Sequence, residues 1–166
     1  MVWNNCTQSY YARRSKRLPK GKTLNIFMAR DVLGLPQGVG HNGGMSDHEK
    51  HDTLDNTLDN LRVATQSQNT ANSRNIRTFR GFKGVYPSGS GFRAAIQYKN
   101  WNTCFPVLRL ETEAAIMYNY AAQTLFGEFA HLNEIFEDET PSEERLEWLW
   151  QLVFKKLREV GLLAEE

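Results

Sequence analysis

The sequence predicts an α+β protein assembled from small modules: a loop-heavy unit of two strands and a helix, then a three-stranded antiparallel sheet plus helix, then an extra C-terminal helix. Three observations carry this. Residues 45–48 and 61–64 read as short strands, and Thr65 with Gln68 three positions later forms a capping-box pattern that starts a helix. Residues 92–98 alternate in strand fashion, with Phe92, Ala94, Ile96 and Tyr98 on one face and Arg93, Ala95, Gln97 and Lys99 on the other. Thr140-Pro141-Ser142-Glu143 opens a last segment in which Leu146, Leu149, Trp150, Val153, Leu157 and Val160 recur at helical spacing. The expected division is residues 1–75, 76–133 and an acidic helical extension over 134–166, and a chain of 166 residues has room for one compact domain or two small ones.

Taken in order, residues 9–28 read as one hairpin, with aromatic and β-branched runs either side of the turn Leu18-Pro19-Lys20-Gly21-Lys22. A short helix over residues 29–33 is expected to end at Gly34 and Pro36, and the Gly-rich stretch from 37 to 45 reads as a loop. The helix after residue 64 is expected to run to about residue 74 and to carry Asn69 in its first turns. Residues 81–86 read as the first strand of the sheet module, Ser88-Gly89-Ser90-Gly91 as a turn, Asn100-Trp101-Asn102 as a second turn, and residues 103–108 as the third strand. Thr112 is the expected cap of a helix closed by Gly127, and Ala114, Ala115, Ala121 and Ala122 are small enough to bring that helix close to a sheet. In the last helix Thr140 is expected as the cap and Pro141 as the first helical residue.

The net charge of +1 conceals a division of charge. Residues 1–110 hold 16 Lys/Arg against 6 Asp/Glu, whereas residues 111–166 hold 4 against 13, so the front of the chain is a candidate polyanion-binding surface. Cys6 and Cys104 lie far apart with no CxxC pattern, which argues against a disulfide framework or a cysteine zinc site. No apolar run is long enough to cross a bilayer and no basic-then-apolar leader opens the chain, so a soluble protein of the cytoplasm without membrane contact is expected, and the polyanion-binding front would associate it with the nucleoid.

The chemistry concentrates at Asp47-His48, Asn60-Leu61-Arg62 and Asn69. Asp supplies a carboxylate for a metal, histidine is the side chain whose ordinary titration lies near neutrality, and an amide oxygen can complete a hard-metal site. Those are the parts for hydrolysing a phosphodiester with one divalent ion. Taken singly, each residue would be an ordinary turn or cap residue. His51, Asp52 and Asp55 read as turn and cap residues, and His41 as an unassigned loop histidine.

The string from Asp47-His48-Glu49-Lys50 through Asp55-Asn56, followed by Asn60-Leu61-Arg62-Val63-Ala64-Thr65-Gln66-Ser67-Gln68-Asn69, resembles the HNH endonucleases of phages and mobile introns. Gly81-Phe82-Lys83-Gly84-Val85, Ala121-Ala122 and Leu125-Phe126-Gly127-Glu128-Phe129-Ala130 resemble the APETALA-type DNA-binding domain often fused to them. The resemblance implies a homing-type enzyme with a ββα-metal site, encoded by a phage or mobile element, that nicks or cleaves DNA. His48 would be the general base and Asn60 would orient it through the loop between the strands. Asp47 and Asn69 would hold one divalent ion, Mg²⁺ in the first place and Mn²⁺ in the second.

It also implies that the three-stranded sheet lies in the major groove of double-stranded DNA. Arg80, Lys83, Arg93, Gln97 and Lys99 are the expected contacts there, arginine reading guanine edges and lysine anchoring phosphates. Arg74 and Arg77, between the modules, are expected to track the backbone, and Arg30 and Arg62 to contact DNA near the catalytic unit. Ala29, Lys50 and Thr57 depart from the family's usual pattern. With the acidic tail, Ala29 and Lys50 motivate the alternative of a phage-type DNA-binding or inhibitor protein, weak or inactive as an enzyme, that acts on a host nucleic-acid machine. The broad apolar face of the last helix is expected either to dock on its own domain or to meet a second copy or a host protein.

Overall fold

Two separate antiparallel ribbons begin the chain in the computed structural model, which describes residues 1–5, 7–37, 44–74 and 81–164. β1 (Val2–Asn4) pairs with β2 (Ser9–Tyr11), and β3 (Arg13–Arg17) pairs with β4 (Thr23–Phe27). The single hairpin expected over residues 9–28 is therefore divided at Ala12. The reason is a cross-strand aromatic pair: Trp3 lies opposite Tyr10 with ring centroids 4.9 Å apart, and that contact draws residues 9–11 onto the upstream strand. Ala12 keeps the second ribbon attached by accepting the amide of Met28 at 3.0 Å.

A 3₁₀ turn over Pro19–Gly21 closes the second ribbon, with Lys20 and Gly21 both at positive φ. α1 (Met28–Val32) follows at once and ends at Gly34, whose φ of 66° is a conformation glycine adopts without strain. β5 (Met45–His48) and β6 (Leu61–Ala64) then form a two-stranded antiparallel sheet, with Asp47 opposite Arg62 and His48 opposite Leu61. α2 (Gln66–Asn72) packs on them. The expected capping box is present, Thr65 accepting the Gln68 amide and Gln68 accepting the Thr65 amide. Residues 1–76 form one compact unit around a small core that includes Ile26, Ala29, Leu61, Ala64 and Ala71.

Residues 77–166 form the second unit. β7 (Val85–Ser88), β8 (Gly91–Tyr98) and β9 (Trp101–Leu108) make a three-stranded antiparallel sheet, irregular between Arg93 and Ala95. The first strand starts at Val85 rather than Gly81. Gly84 turns with φ of 72°, and a side chain there would overlap the Tyr118 ring and come within 2.9 Å of the Ala95 carbonyl oxygen. The second turn is Lys99-Asn100 rather than 100–102, so Trp101 belongs to β9 and lies opposite Tyr98.

α3 (Glu111–Phe126) packs on the sheet with its four alanines all buried, Ala114 and Ala115 in one cluster with Val85, and Gly127 closes it. Thr112 lies inside its first turn; the cap position is Leu110, whose side chain makes no capping bond. α4 (Glu143–Glu159) is capped by Ser142, which accepts the Arg145 amide, and Pro141 precedes the cap instead of following it. Leu149, Val153 and Leu157 of α4 are fully buried and the helix contacts α3 and β9, whereas Trp148 and Trp150 on the same helix are exposed. Among the described residues no helix is long and apolar enough to cross a membrane.

Candidate active site

Asp47 and His48 are adjacent on β5, yet both are buried, at 4% and 7% exposure, because the strand ends beneath α2 on one side and the 49–60 loop on the other. Burial of a carboxylate requires partners. Asp47 has two: Arg62, directly opposite on β6, donates Nε to Oδ2 at 2.9 Å, and Asn72 of α2 donates Nδ2 to Oδ1 at 2.9 Å and to Oδ2 at 3.1 Å. Asn72 also reaches the His48 carbonyl oxygen at 3.1 Å, so one side chain ties the helix to both residues of the pair.

Asn60 is completely buried and its side chain works on the loop. Its Oδ1 accepts the Lys50 amide at 2.8 Å, and its Nδ2 donates to the carbonyls of Asp52 and Asp55, each at 2.8 Å. Glu49 closes the base of the loop by donating its amide to the Asn60 carbonyl at 2.9 Å. The imidazole of His48 is flanked by the edge of Tyr11, with ring centroids 6.0 Å apart, and its Nε2 lies 3.3 Å from Oδ1 of Asn56 in the loop. Thr53 anchors the same loop to the N-terminal ribbon through the Tyr10 carbonyl at 2.6 Å.

Asn69 stands half-buried on α2, three residues before Asn72 and therefore on the same side of the helix. The recorded side-chain bonds from α2 to Asp47 come from Asn72. Two residues of the site, Asn56 and Asn72, thus go unmarked in the sequence reading. The i, i+3 spacing from Asn69 is a signal that finds Asn72; nothing local singles out Asn56 from the other polar residues of its loop.

Arg30 and Arg62, expected on DNA, are turned to protein acceptors. Arg30 donates to the Pro36 carbonyl at 3.0 and 2.7 Å and to the Gly44 carbonyl at 3.1 Å, which makes it a clamp on the segment before β5. Arg62 is held by Asp47, with Glu49 3.9 Å away. Arg74 is exposed just beyond α2. Arg77, Arg80, His41 and Cys6 lie outside the described residues.

In the second unit, Arg93 and Gln97 are exposed on the sheet face opposite α3, together with Tyr86 and Cys104, while Trp101 shares the other face with Tyr98. Lys99 sits in the β8–β9 turn at positive φ with its ammonium 5.2 Å above the Tyr98 ring. Lys83 differs from these: its segment is bracketed by Asn133, which accepts the Lys83 amide at 2.6 Å and donates to its carbonyl at 3.1 Å, and burial pulls the side-chain pKa down to about 8.

The chain is 35% identical over 89 residues to an uncharacterized HNH endonuclease of Acanthamoeba polyphaga mimivirus, a match covering 54% of this chain and 46% of that protein. The chain thus spans just under half the length of that relative. No known family pattern and no solved structure matches the chain.

Proposed function

We propose that the chain is a metal-dependent HNH endonuclease that hydrolyses DNA phosphodiesters, with His48 as general base. The observation that carries this reading is the buried Asp47-His48 pair at the end of β5, roofed by a capped helix and by a loop that Asn60 holds from three backbone groups. Such support is what a catalytic histidine needs, since a base works only when its ring is held in line with the group it deprotonates.

Asp47 and Asn69 would hold one divalent ion. Carboxylate and carboxamide oxygens suit a hard ion such as Mg²⁺ or Mn²⁺, which takes few protein ligands and fills its shell with water and phosphate oxygens. Among the described residues no cluster of three or more His, Cys, Asp and Glu side chains that could hold a metal ion is present. Arg62 and Asn72 fix the orientation of the Asp47 carboxylate for that role. When bound, the ion supplies charge stabilisation to the phosphorane-like transition state and the leaving oxygen.

His48 takes a proton from the attacking water as its oxygen bonds to phosphorus. The bond from phosphorus to the 3′-oxygen breaks with its electron pair, and that oxygen is protonated by solvent, leaving a 5′-phosphate and a 3′-hydroxyl. A single site of this kind acts on one strand, so one chain nicks. The exposed sheet face with Arg93, Gln97 and Lys99 is the proposed contact with duplex DNA, assisted by Lys83, Arg74, Arg77 and Arg80. The basic ribbon of Arg13, Arg14, Lys16 and Arg17, exposed along most of β3, adds to the polyanion surface of the first unit.

The test is conversion of supercoiled plasmid to the nicked form with Mg²⁺ or Mn²⁺, with EDTA and His48→Ala as controls. The expected result is nicking that EDTA abolishes and that His48→Ala lowers at least about 100-fold, the usual scale for losing a general base. Equal conversion by the wild type and His48→Ala would remove the proposed base. Duplex binding with intact plasmid in every metal would favour a DNA-binding or inhibitor protein working through host-protein contacts.

A further inference from the structure

We propose that Asn56 is the positioning residue for His48: its carboxamide holds the imidazole in the tautomer protonated on Nε2, which makes Nδ1 the basic atom. The inference rests on His48 as the general base and adds to that role the atom used and the residue that selects it.

The argument starts from the Leu54 carbonyl. It only accepts hydrogen bonds, and it lies 2.9 Å from Nδ2 of Asn56, so that edge of the carboxamide must be the NH₂ group. A flipped amide would set two oxygens against each other. The Asn56 oxygen is therefore the atom facing His48, at 3.3 Å from Nε2, and an amide oxygen only accepts. Nε2 must then carry the hydrogen. A neutral imidazole has one N–H, so Nδ1 keeps its lone pair.

The loop gives this contact its rigidity. Asn60 fastens the carbonyls of Asp52 and Asp55, the second of them next to Asn56 in the chain. On the far side, Thr57 donates its amide and hydroxyl to Asp55 Oδ1 at 3.0 and 2.7 Å. The backbone at residue 56 is thus tied on both sides, and a half-turn of the ring would lose the only acceptor the loop places at Nε2 among the described contacts. When Nδ1 accepts the water's proton, the Nε2–H bond to Asn56 persists, so the proton transfer requires no rearrangement of the ring's partner. The loop role expected for Asn60 acquires an end point: Asn60 holds the loop, and the loop holds Asn56 against His48.

The test uses the full chain labelled with ¹⁵N and reads the imidazole nitrogens by long-range proton–nitrogen correlation at a pH where the ring is neutral, with His48→Gln assigning its signals among the four histidines. The expected result is a His48 ring with a pyrrole-type Nε2, a pyridine-type Nδ1, and an Nε2 proton protected from solvent exchange. Asn56→Leu should lose that protection and lower turnover in the nicking assay by about 10-fold or more with little change in KM. Asn56→Asp, which keeps an accepting oxygen toward His48 but loses the donor to the Leu54 carbonyl, should retain the tautomer with weaker protection of the proton. A wild-type ring protonated on Nδ1, or protection unchanged in Asn56→Leu, would overturn the proposal. If Asn56→Leu does not fold, the wild-type and Asn56→Asp spectra still decide it. The predicted tautomer in a chain that nicks nothing would instead remove the nuclease reading and leave the Asn56–His48 relationship standing.

Discussion

Asn72 donates its amide to both carboxylate oxygens of Asp47, at 2.9 and 3.1 Å, from a position fully inside the first unit. This joins α2 to β5 at the strand end where His48 also sits, so one side chain ties the helix to an acid whose orientation Arg62 also fixes. Asn72→Leu removes the donor and leaves the carboxylate with Arg62 as its principal partner. A buried acceptor deprived of a bond costs about 1–3 kcal/mol, and urea denaturation should show a loss in that range. Asn72→Asp should be worse, because two carboxylates would meet in a buried place. A stability equal to wild type for Asn72→Leu would show that the bond contributes nothing to holding the unit together.

The outer face of the sheet makes a separate prediction, measurable without any cleavage. If Arg93 and Lys99 neutralise phosphates, replacing either by alanine should weaken duplex binding and reduce the slope of log K against log salt by about 1 per contact. If Arg93 instead reads a base edge, Arg93→Ala should relax the sequence preference while changing the slope little. Fluorescence anisotropy with a labelled duplex over a salt series separates the two, and an unchanged affinity in both variants would remove this face as the DNA surface.

How far the sequence could be read depended on whether the deciding interaction was local. The strand Met45–His48, the strand Leu61–Ala64 and the capped helix between residues 65 and 73 were legible because a capping box is written in four consecutive residues. The alternation in β8 and the alanines of α3 were legible for the same reason. The β1–β2 ribbon was not, because its pairing depends on Trp3 meeting Tyr10 across a turn. Just before the first strand, a side chain at Gly84 would overlap the Tyr118 ring, a contact 34 positions away that no local pattern records. At the site, Asp47 and His48 were visible as chemistry, whereas Asn72 and Asn56 are ordinary polar residues until the fold places their amides 3.3 Å or less from that pair.

Lys83 should impose a pH dependence on the second unit. Its folded pKa of about 8 lies below the ordinary lysine value of 10.5, and the cause is burial of the ammonium. Below pH 8 the group is charged in both states and the folded state bears the whole desolvation cost. Between pH 8 and 10.5 the folded chain sheds the proton first, so this group's contribution to stability rises with pH across that window. Lys83→Met should therefore be the more stable protein at neutral pH, by about 1–2 kcal/mol after allowance for the side chain's partial exposure, and its advantage should shrink toward pH 10. Thermal unfolding of both proteins from pH 6 to 10 checks this, and a constant difference across the range would contradict the assignment.

The ion pair between Glu113 and Arg145 should decide how firmly α4 is held. Glu113 is a buried carboxylate on α3, and Arg145 meets it with a two-pronged contact, Nε to Oε1 at 2.6 Å and Nη2 to Oε2 at 3.0 Å. The guanidinium also lies 4.0 Å over the Trp148 ring, so the first turn of α4 presents a charged plane fixed from two sides. Removing Arg145 leaves the carboxylate buried without its main partner, and with Arg145 itself partly open to solvent the cost should be about 2 kcal/mol. Arg145→Lys should recover only part of it, since an ammonium cannot match the planar fork. Glu113→Gln, which keeps an accepting oxygen and removes the buried charge, should cost less than Arg145→Ala. Combining the two should cost less than their sum, because the glutamine no longer strands a charge when the arginine is gone. Urea denaturation followed by fluorescence of Trp148 and Trp150, both on α4, in a background with Trp3 and Trp101 replaced by phenylalanine, reads the effect where it occurs. Additive losses in the double variant would mean that the pair is not coupled and that α4 is held by Leu149, Val153 and Leu157 alone.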